Sequence, residues 1–249
     1  MIIIKSKAQV EAMRKAGSIA AGALALAGEL VTVGISTYEL DTKIREFITS
    51  KGARPSFLGY DGYPGSACIS INSEVIHGIP SKSRIIKDGD IVSIDVGANI
   101  NGVHGDCANT FFAGNVSDEN RKLVEVTRQS FFEGINYARQ GCRIGDIGYA
   151  IDSYVKKFGY STVKRFVGHG IGQDLHEAPE VPNFGSKGRG VRLTKGMTIA
   201  VEPMINAGSQ EIKILSDKWT VVTADGKNSA HYENTILITD NEPEILTKI

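Results

Sequence analysis

The sequence predicts one α+β domain in which a unit of two helices followed by strands occurs twice. The composition is that of a globular protein, because 41% of the 249 residues are hydrophobic and 22% are charged. Capped helical segments stand in pairs at two places, and no long linker or low-complexity segment separates them. We therefore expect a single domain over 1–249, with pseudo-repeat halves of about 1–114 and 115–249, approximate internal two-fold symmetry and one shared core.

The first half begins with two capped helices. Ser6 precedes Gln9 and Ser36 precedes Glu39 by three residues, which is the spacing of a capping box, where each side chain accepts a hydrogen bond from the other residue's backbone N–H. The first helix should reach about Leu30, and the second should end at Gly52. Apolar segments then predict strands at 66–71, 91–97 and 102–112.

The second half follows the same order. Helices are predicted at 118–139 and 146–158, and strands at 197–202, 220–223 and 232–239. In both halves a turn with an isoleucine before the helix cap, Ile35 or Ile144, joins the long helix to the short one. A chance likeness is the alternative to a repeat, since capped helix pairs are common.

Charge, hydropathy and cysteine content exclude several classes of protein. Lys plus Arg and Asp plus Glu number 28 each, whereas a DNA-binding protein is usually basic. The longest apolar run, 18–31, is short and interrupted by Glu29, so it predicts a core helix and no membrane span. The first residues lack the order of a signal peptide. Cys68, Cys107 and Cys142 form no CxxC pair, which is typical of reduced thiols in a cytoplasmic protein.

Two acids stand where the pattern of a buried strand calls for apolar residues. Asp95 lies within IVSIDVG, and Asp106 follows a turn rich in Asn and Gly. A hairpin centred near 100–102 would bring them roughly opposite one another, with Cβ atoms about 5 Å apart. Two buried carboxylates at that distance repel, and a cation between them removes the penalty. The alternatives are a buried salt bridge to Lys or Arg, or a place on an exposed strand edge, but neither strand segment contains a basic residue.

Two further acids and a histidine-containing segment extend this set. Glu202 ends one apolar strand and Glu233 begins another, while GHGIGQDLHEAP contains His169 and His176. The glycines of that segment have no strand-turn-helix context for a phosphate loop, so close backbone packing is the better interpretation, and HExxH is absent. Four carboxylates and one imidazole suit two divalent ions such as Mn, Fe or Co. The reaction class that this predicts is metal-assisted hydrolysis.

With these residues the chain resembles the type I methionine aminopeptidases, which have the pita-bread fold of helices packed on a curved antiparallel sheet. The segments that carry the resemblance span nearly the whole length, in the family's order and spacing: CISINSEVIHGIP, DGDIVSIDVGA, GVHGDC, GHGIG…LHEAP, IAVEPM and HYENTILIT. The resemblance implies a single catalytic domain that removes the N-terminal methionine from nascent polypeptides when the second residue is small.

The resemblance also implies roles for individual residues. Two divalent metal ions (Co, Mn, Fe or Zn) would be held by five ligands, of which Asp106 and Glu233 would bridge: Asp95, Asp106, His169, Glu202 and Glu233. Glu202 would carry a proton from the attacking water to the leaving amine. His176 would hydrogen-bond the scissile amide, and His77 would contact the substrate on the leaving-group side. These roles suit hydrolysis, which needs a proton carrier and an electrophile.

The family's methionine pocket is apolar and aromatic, and by position six residues would form it here: Phe57, Tyr60, Tyr63, Cys68, Leu175 and Trp219. An unbranched thioether suits such a slot. Some homologues have cysteine in place of Phe57 and phenylalanine in place of Leu175, which affects the shape of the pocket. Taken singly, each aromatic is more often a packing residue. His104 and His231 are expected to be packed or hydrated, and a supporting contact to the neighbouring ligands Asp106 and Glu233 is the alternative.

The sequence also leads to expectations about partners and about alternative functions. We expect a cytoplasmic monomer with no membrane or DNA partner, and the basic segment 156–165 is either a solvated face or a transient ribosome contact. An X-Pro aminopeptidase or dipeptidase would share the ligand set but usually has a large extra N-terminal domain, for which the chain has no room. A metal-free binding module would lack ligands, and all five are present. A structural protein with coincidental acids is the remaining alternative.

Overall fold

The computed structural model describes residues 2–248. It contains four α-helices, which begin close to the predicted positions: α1 Lys7–Leu30, α2 Thr37–Ser50, α3 Asp118–Ile135 and α4 Ile144–Lys156. Both predicted capping boxes form, with Ser6 and Gln9 before α1 and Ser36 and Glu39 before α2. Each pair of helices precedes antiparallel strands, as the sequence predicts.

Helix α4 ends at Lys156, two residues before the predicted end, and two other helix ends differ from the prediction for local reasons. Helix α3 ends at Ile135 instead of 139 because the chain turns there, and the backbone N–H of Gln140 donates to the carbonyl of Thr239. Helix α4 begins at Ile144, two residues early, because Asp146 lies inside its first turn. The carboxylate of Asp146 accepts a hydrogen bond from the backbone N–H of Arg143 at 2.8 Å.

Fifteen strands form three antiparallel sheets. In chain order they are β1 Arg54–Pro55, β2 Cys68–Ile71, β3 Glu74–Ile76, β4 Ile91–Ile100, β5 Val103–Phe112, β6 Ser161–Thr162, β7 Gly168–Gly170, β8 Glu177–Val181, β9 Thr198–Val201, β10 Met204–Asn206, β11 Ile212–Ile214, β12 Val221–Thr223, β13 Ser229–His231, β14 Glu233–Leu237 and β15 Glu244–Ile245. The central sheet runs β1-β4-β5-β14-β9-β7-β8, with β2 beside β4 and β15 beside β14. Two three-stranded sheets, β13-β10-β6 and β11-β12-β3, complete the fold.

Strands β4 and β5 form the predicted hairpin. Every residue from Ile91 to Ile100 pairs with one between Phe112 and Val103. Asn101 and Gly102 connect them, with φ angles of 54° and 76°. A two-residue loop with both φ angles positive twists in the same sense as the strands, which fixes the register of the hairpin.

The helices of both halves pack on the central sheet. Two clusters of fully buried side chains lie beneath them, one under α1 and α2 (Met13, Leu40, Ile44, Ile69 and Ile94) and one under α3 and α4 (Phe131, Ile147, Ile151, Ile199 and Ile236). The halves meet where β5 pairs with β14. Within residues 2–248, none of the helices is both long and apolar enough to cross a membrane.

Candidate metal centre and substrate pocket

Three acids stand on one face of the sheet, at the seam between the halves. Asp95 on β4 and Glu233 on β14 both pair with Ala108 of β5, from opposite sides. Asp106 lies two residues from Ala108 along β5, so it shares that face.

The register corrects one expectation about these acids. Asp106 pairs with Gly97, so Asp95 and Asp106 are diagonal neighbours offset by two residues and do not face each other directly. The two-residue turn sets this offset. The position of Asp106 is also fixed across the seam, because its backbone N–H donates to Thr235 Oγ1 at 3.0 Å and its carbonyl accepts from the same hydroxyl at 2.9 Å.

Glu202 and His169 reach the same place from neighbouring elements. Glu202 directly follows β9, and its backbone carbonyl accepts a hydrogen bond from Asn183 Nδ2 at 2.9 Å. His169 lies in β7, where Nδ1 is 2.8 Å from the carbonyl of Gly170 and Nε2 is 3.6 Å from a Glu202 oxygen. Because a carbonyl only accepts, Nδ1 carries the proton, and Nε2 offers its lone pair to the centre.

The donor atoms fit a divalent metal. Ligand atoms of Asp106, His169 and Glu233 lie within 4.8 Å of one another, and so do those of Glu202, His231 and Glu233. One buried oxygen each on Asp95, Asp106 and Glu233 has no hydrogen-bond partner. Within residues 2–248, no Lys or Arg pairs with the four acids, so the salt-bridge alternative fails. Unpaired buried oxygens are costly, and a cation satisfies them.

The pKa values of the acids reflect the same crowding. Burial raises the pKa of Asp106 to about 7. Burial, with repulsion from Asp106, holds the pKa values of the other three carboxyls well above their usual range: Asp95, Glu202 and Glu233. Carboxyls with raised pKa values bind protons unless a metal ion binds in place of those protons. This competition between metal ions and protons links metal binding to pH.

His231 belongs to this cluster, and the expectation of a packed or hydrated histidine was wrong for it. Nε2 is 3.9 Å from a Glu202 oxygen and 3.8 Å from a Glu233 oxygen, and it has no hydrogen-bond partner. The backbone N–H and carbonyl of His231 both hydrogen-bond Thr110 Oγ1. The signal that the sequence offered is the two-residue spacing of His231 and Glu233, because side chains two residues apart in an extended chain point to the same side.

His104, by contrast, is a satisfied packing residue. Its Nδ1 is 2.8 Å from Ser56 Oγ, and its Nε2 is 2.8 Å from Asn99 Nδ2. Both ring nitrogens are therefore occupied by hydrogen bonds away from the acids. The expectation of a packed histidine is confirmed here.

A cavity of about 320 Å³ opens above the acids. All the sequence-predicted site residues line it: Phe57, Tyr60, Tyr63, Cys68, His77, Asp95, Asp106, His169, Leu175, His176, Glu202, Trp219 and Glu233. The sequence missed the acid Asp61 and three apolar residues that also line the cavity, Ile76, Phe166 and Val167. No local pattern distinguishes these three from ordinary apolar residues.

Aromatic rings shape one wall of the cavity. The rings of Tyr63 and Trp219 meet edge to face with centroids 5.1 Å apart, and His77 meets Phe166 in the same way at 5.6 Å. His77 has a positive φ of 59°, a strained conformation for this residue and one that is common at functional sites. Burial, with the nearby His176, lowers the pKa of His77 to about 4, so the ring is neutral near neutral pH.

His176 stands at the mouth of the cavity, above the acids. Its ring centroid is 4.3 Å from that of His169, and Nδ1 is 2.7 Å from the hydroxyl of Tyr60. Partial burial lowers the pKa of His176, which favours the neutral ring. When Tyr60 donates to Nδ1, the proton of the neutral ring is on Nε2, and that nitrogen can donate to a substrate.

Comparison with known proteins agrees with this geometry. The model of metallopeptidase family M24 matches residues 11–240. The methionine aminopeptidase of Clostridium perfringens is 55% identical and methionine aminopeptidase 1 of Bacillus subtilis is 50% identical, each over 100% of both chains.

Solved structures give the same result for the fold. The methionine aminopeptidase from Thermotoga maritima superimposes with a TM-score of 0.98 at 42% identity, over 100% of both chains. The prolidase from Pyrococcus furiosus shares the fold with a TM-score of 0.79 at 26% identity, over 99% of this chain and 66% of that one. The predicted pita-bread fold is confirmed. The chain therefore belongs to metallopeptidase family M24 and, within it, to the methionine aminopeptidases.

Proposed function

We infer that the chain removes the N-terminal methionine from nascent polypeptides by metal-dependent hydrolysis, where the second residue is small. One observation carries this inference. A cluster of four buried or partly buried acids and His169 forms the floor of a cavity whose wall is apolar and aromatic. The floor suits metal-assisted hydrolysis, and the wall suits an unbranched thioether side chain.

Five residues are proposed to hold two divalent ions: Asp95, Asp106, His169, Glu202 and Glu233. Glu233 belongs to both groups of closely spaced donor atoms, which supports a bridging role, and Asp106 is the second proposed bridge. A donor set with many oxygens and one or two nitrogens accepts Co, Mn, Fe or Zn. When bound, the ions lower the pKa of a water molecule and polarise the scissile carbonyl.

Glu202 is the proposed proton carrier. Its side chain lines the cavity and is 12% exposed, so a water molecule can reach it from the substrate side. One carboxylate oxygen takes the proton of the attacking water and delivers it to the leaving amine nitrogen. The hydrogen bond from Asn183 to the backbone carbonyl of Glu202 fixes the backbone position from which this side chain extends.

Two of the histidines that line the cavity, His77 and His176, are proposed to act on the scissile peptide. His176 donates from Nε2 to the carbonyl oxygen and stabilises the negative charge that develops there. His77 contacts the substrate on the leaving-group side. The apolar wall is proposed to hold the methionine side chain: Phe57, Tyr60, Tyr63, Cys68, Leu175 and Trp219. Since Ile76 and Phe166 line the same cavity, they extend this wall.

A transient ribosome contact is proposed for the basic segment 156–165. Lys156, Lys157, Lys164 and Arg165 are exposed. Lys156 pairs with Asp152 at 2.5 Å but its side chain remains 64% exposed. Phosphate binding by such a face weakens with salt. Cosedimentation with ribosomes should therefore be salt-sensitive and should fall in Lys157→Glu/Lys164→Glu. If cosedimentation is unchanged in this variant, the segment is a solvated face that does not contact the ribosome.

The test of the function is methionine release by chelator-treated protein. We expect a Met-Ala-Ser peptide to be cleaved after Mn or Co is added back, and we expect little cleavage without metal. The Glu202→Gln variant should bind the peptide without cleaving it. Failure of the metal-loaded wild type on Met-Ala-Ser, together with cleavage of an X-Pro peptide, would replace this assignment with the prolidase activity of the fold's other members.

A further inference from the structure

A buried ion pair lies at the base of the loop that carries His176. Lys5 Nζ is 2.5 Å from Glu177 Oε2, and the two side chains are 2% and 4% exposed. Lys5 comes from the non-helical arm before α1, and Glu177 is the first residue of β8. Charged groups are rarely buried this fully unless they are paired. The pair therefore joins the beginning of the chain to the wall of the cavity.

The carboxylate of Glu177 also organises the loop between β7 and β8. Its Oε1 accepts hydrogen bonds from the backbone N–H groups of Gln173 at 2.9 Å and Asp174 at 3.3 Å. The loop closes further through the N–H of Gly172, which donates to the carbonyl of Asp174 at 3.1 Å. One carboxylate thus holds the turn that leads into Leu175 and His176.

The arm is itself anchored so that Lys5 reaches this carboxylate. The backbone N–H of Lys5 donates to the carbonyl of Gly196 at 2.8 Å. Gly172 leaves room for the lysine chain, because a Cβ there would lie 2.3 Å from Lys5 Cε and 2.5 Å from Glu177 Oε1. The glycine that the sequence offered as a close-packing position is therefore needed for the ion pair.

We propose that Lys5 is a positioning residue for the catalytic loop, acting through Glu177 on Leu175 and His176. This proposal rests on the proposed function of His176. Leu175 is 2% exposed and lines the cavity. The hydroxyl of Tyr60 lies 2.7 Å from Nδ1 of His176. Without Lys5, the carboxylate of Glu177 would be buried and unpaired, and it would draw away from the loop toward water.

The experiment compares wild type with Lys5→Met, Lys5→Met/Glu177→Gln and a control, Lys7→Met. Lys7 is exposed, lies two residues from Lys5 and belongs to no ion pair within residues 2–248. Hydrogen exchange of the Gln173 and Asp174 amides is measured without substrate. The values of kcat and KM for Met-Ala-Ser are measured with metal, together with the melting temperature.

In Lys5→Met we expect exchange of the two amides to rise at least about tenfold and kcat/KM to fall about tenfold, mainly through kcat. Strands β4 and β5 should keep their exchange rates. The double variant should recover part of both losses, because the neutral side-chain amide that replaces the Glu177 carboxylate still accepts the two N–H groups and leaves no buried charge. Lys7→Met should match the wild type in both measurements.

Three results would overturn the proposal. Wild-type exchange and kinetics in Lys5→Met would show that the ion pair positions nothing. Equal acceleration of exchange in β4, β5 and the loop would assign Lys5 to global stability alone. A lower kcat/KM with unchanged loop exchange would exclude the route through Glu177. If neither wild type nor Lys7→Met released methionine, the proposed function would fail and this role with it, whereas the exchange data would still report the order of the loop.

Discussion

The floor and the rim of the cavity are held in place by different kinds of structure. On the floor, Asp95, Asp106 and Glu233 stand on three strands that are hydrogen-bonded to one another in a fixed register. On the rim, Tyr60 begins a tight turn in which Asp61 and Gly62 both have positive φ angles, and His176 lies in the loop before β8. A carboxylate on the floor is positioned by many backbone bonds, whereas a ring on the rim is positioned by one or two side-chain contacts.

This difference separates the reaction from the choice of substrate. Moving a floor acid would require a shift of strand register, and a shift by one residue would move every side chain of that strand to the opposite face of the sheet. Moving a rim residue requires the loss of only one hydrogen bond or ring contact. Substitutions on the floor should therefore abolish metal binding or hydrolysis, and those on the rim should change rates and affinities by small factors.

The largest expected effect is on the floor, at Glu202. The Glu202→Gln variant keeps the size of the side chain but cannot carry a proton, so kcat/KM for Met-Ala-Ser should fall by about 10²–10⁴-fold. The melting temperature should remain close to that of the wild type. Hydrolysis at more than about a tenth of the wild-type rate would show that another group moves the proton.

Metal removal should affect stability in a pH-dependent way. Burial raises the pKa of Asp106 from 3.8 to about 7, so the folded apoprotein binds more protons than the unfolded chain between these values. Apoprotein stability should therefore fall as pH rises through this window. Added Mn should raise the melting temperature more at about pH 7.5 than at about pH 5.5, because metal competes with fewer protons at the higher pH.

Calorimetric scans of chelator-treated protein, with and without Mn, check this expectation. The Asp106→Asn variant provides the comparison, since it lacks this one titrating ligand of the cluster. Its metal-induced shift should be small at both pH values. An equal shift in wild type at the two pH values would contradict the coupling of metal binding to the acids.

On the rim, Tyr60→Phe should have a moderate effect. The change removes the hydroxyl 2.7 Å from His176 Nδ1 and keeps the ring. A hydrogen bond of this kind contributes about 0.5–1.5 kcal/mol, so kcat/KM should fall by about 2–12-fold. Tyr137→Phe, at another exposed tyrosine, is the matched control. Equal kinetics in the two variants would show that Tyr60 does not orient His176.

The smallest expected effect is that of Trp219→Phe. Trp219 contacts Tyr63 and His77 edge to face, with centroids 5.1 and 6.1 Å apart. Phenylalanine retains part of these contacts, so the loss of about 0.5–1 kcal/mol should raise KM by about two- to fivefold and leave kcat nearly unchanged. Steady-state kinetics on Met-Ala-Ser test this expectation. A large loss of kcat would show that Trp219 contributes to the chemical step and not only to substrate affinity.

Local chemistry explains which features the sequence could predict. Capping boxes at Ser6 and Ser36 mark helix starts, and an Asn-Gly pair between two apolar segments marks the β4–β5 hairpin. The acids were noticeable because a carboxylate within a buried strand needs a partner. Each of these features depends on residues close together in the chain.

The features that the sequence missed depend on distant pairing. Several short strands, such as β6 and β10, exist because another segment pairs with them, and two or three residues carry no strand pattern of their own. His231 approaches Glu202 only because β13 pairs with β10, which follows Glu202 in the chain. Phe166 likewise meets His77 from the other half of the chain.

The most direct test of the account is a calorimetric titration of Mn into chelator-treated wild-type protein, with methionine release from Met-Ala-Ser followed on the same samples. Two ions should bind at saturation, and hydrolysis should appear as the sites fill. Wild-type protein that binds no Mn, or that releases methionine at full rate before any is added, would contradict the central claim that the acids at the seam form a catalytic metal centre.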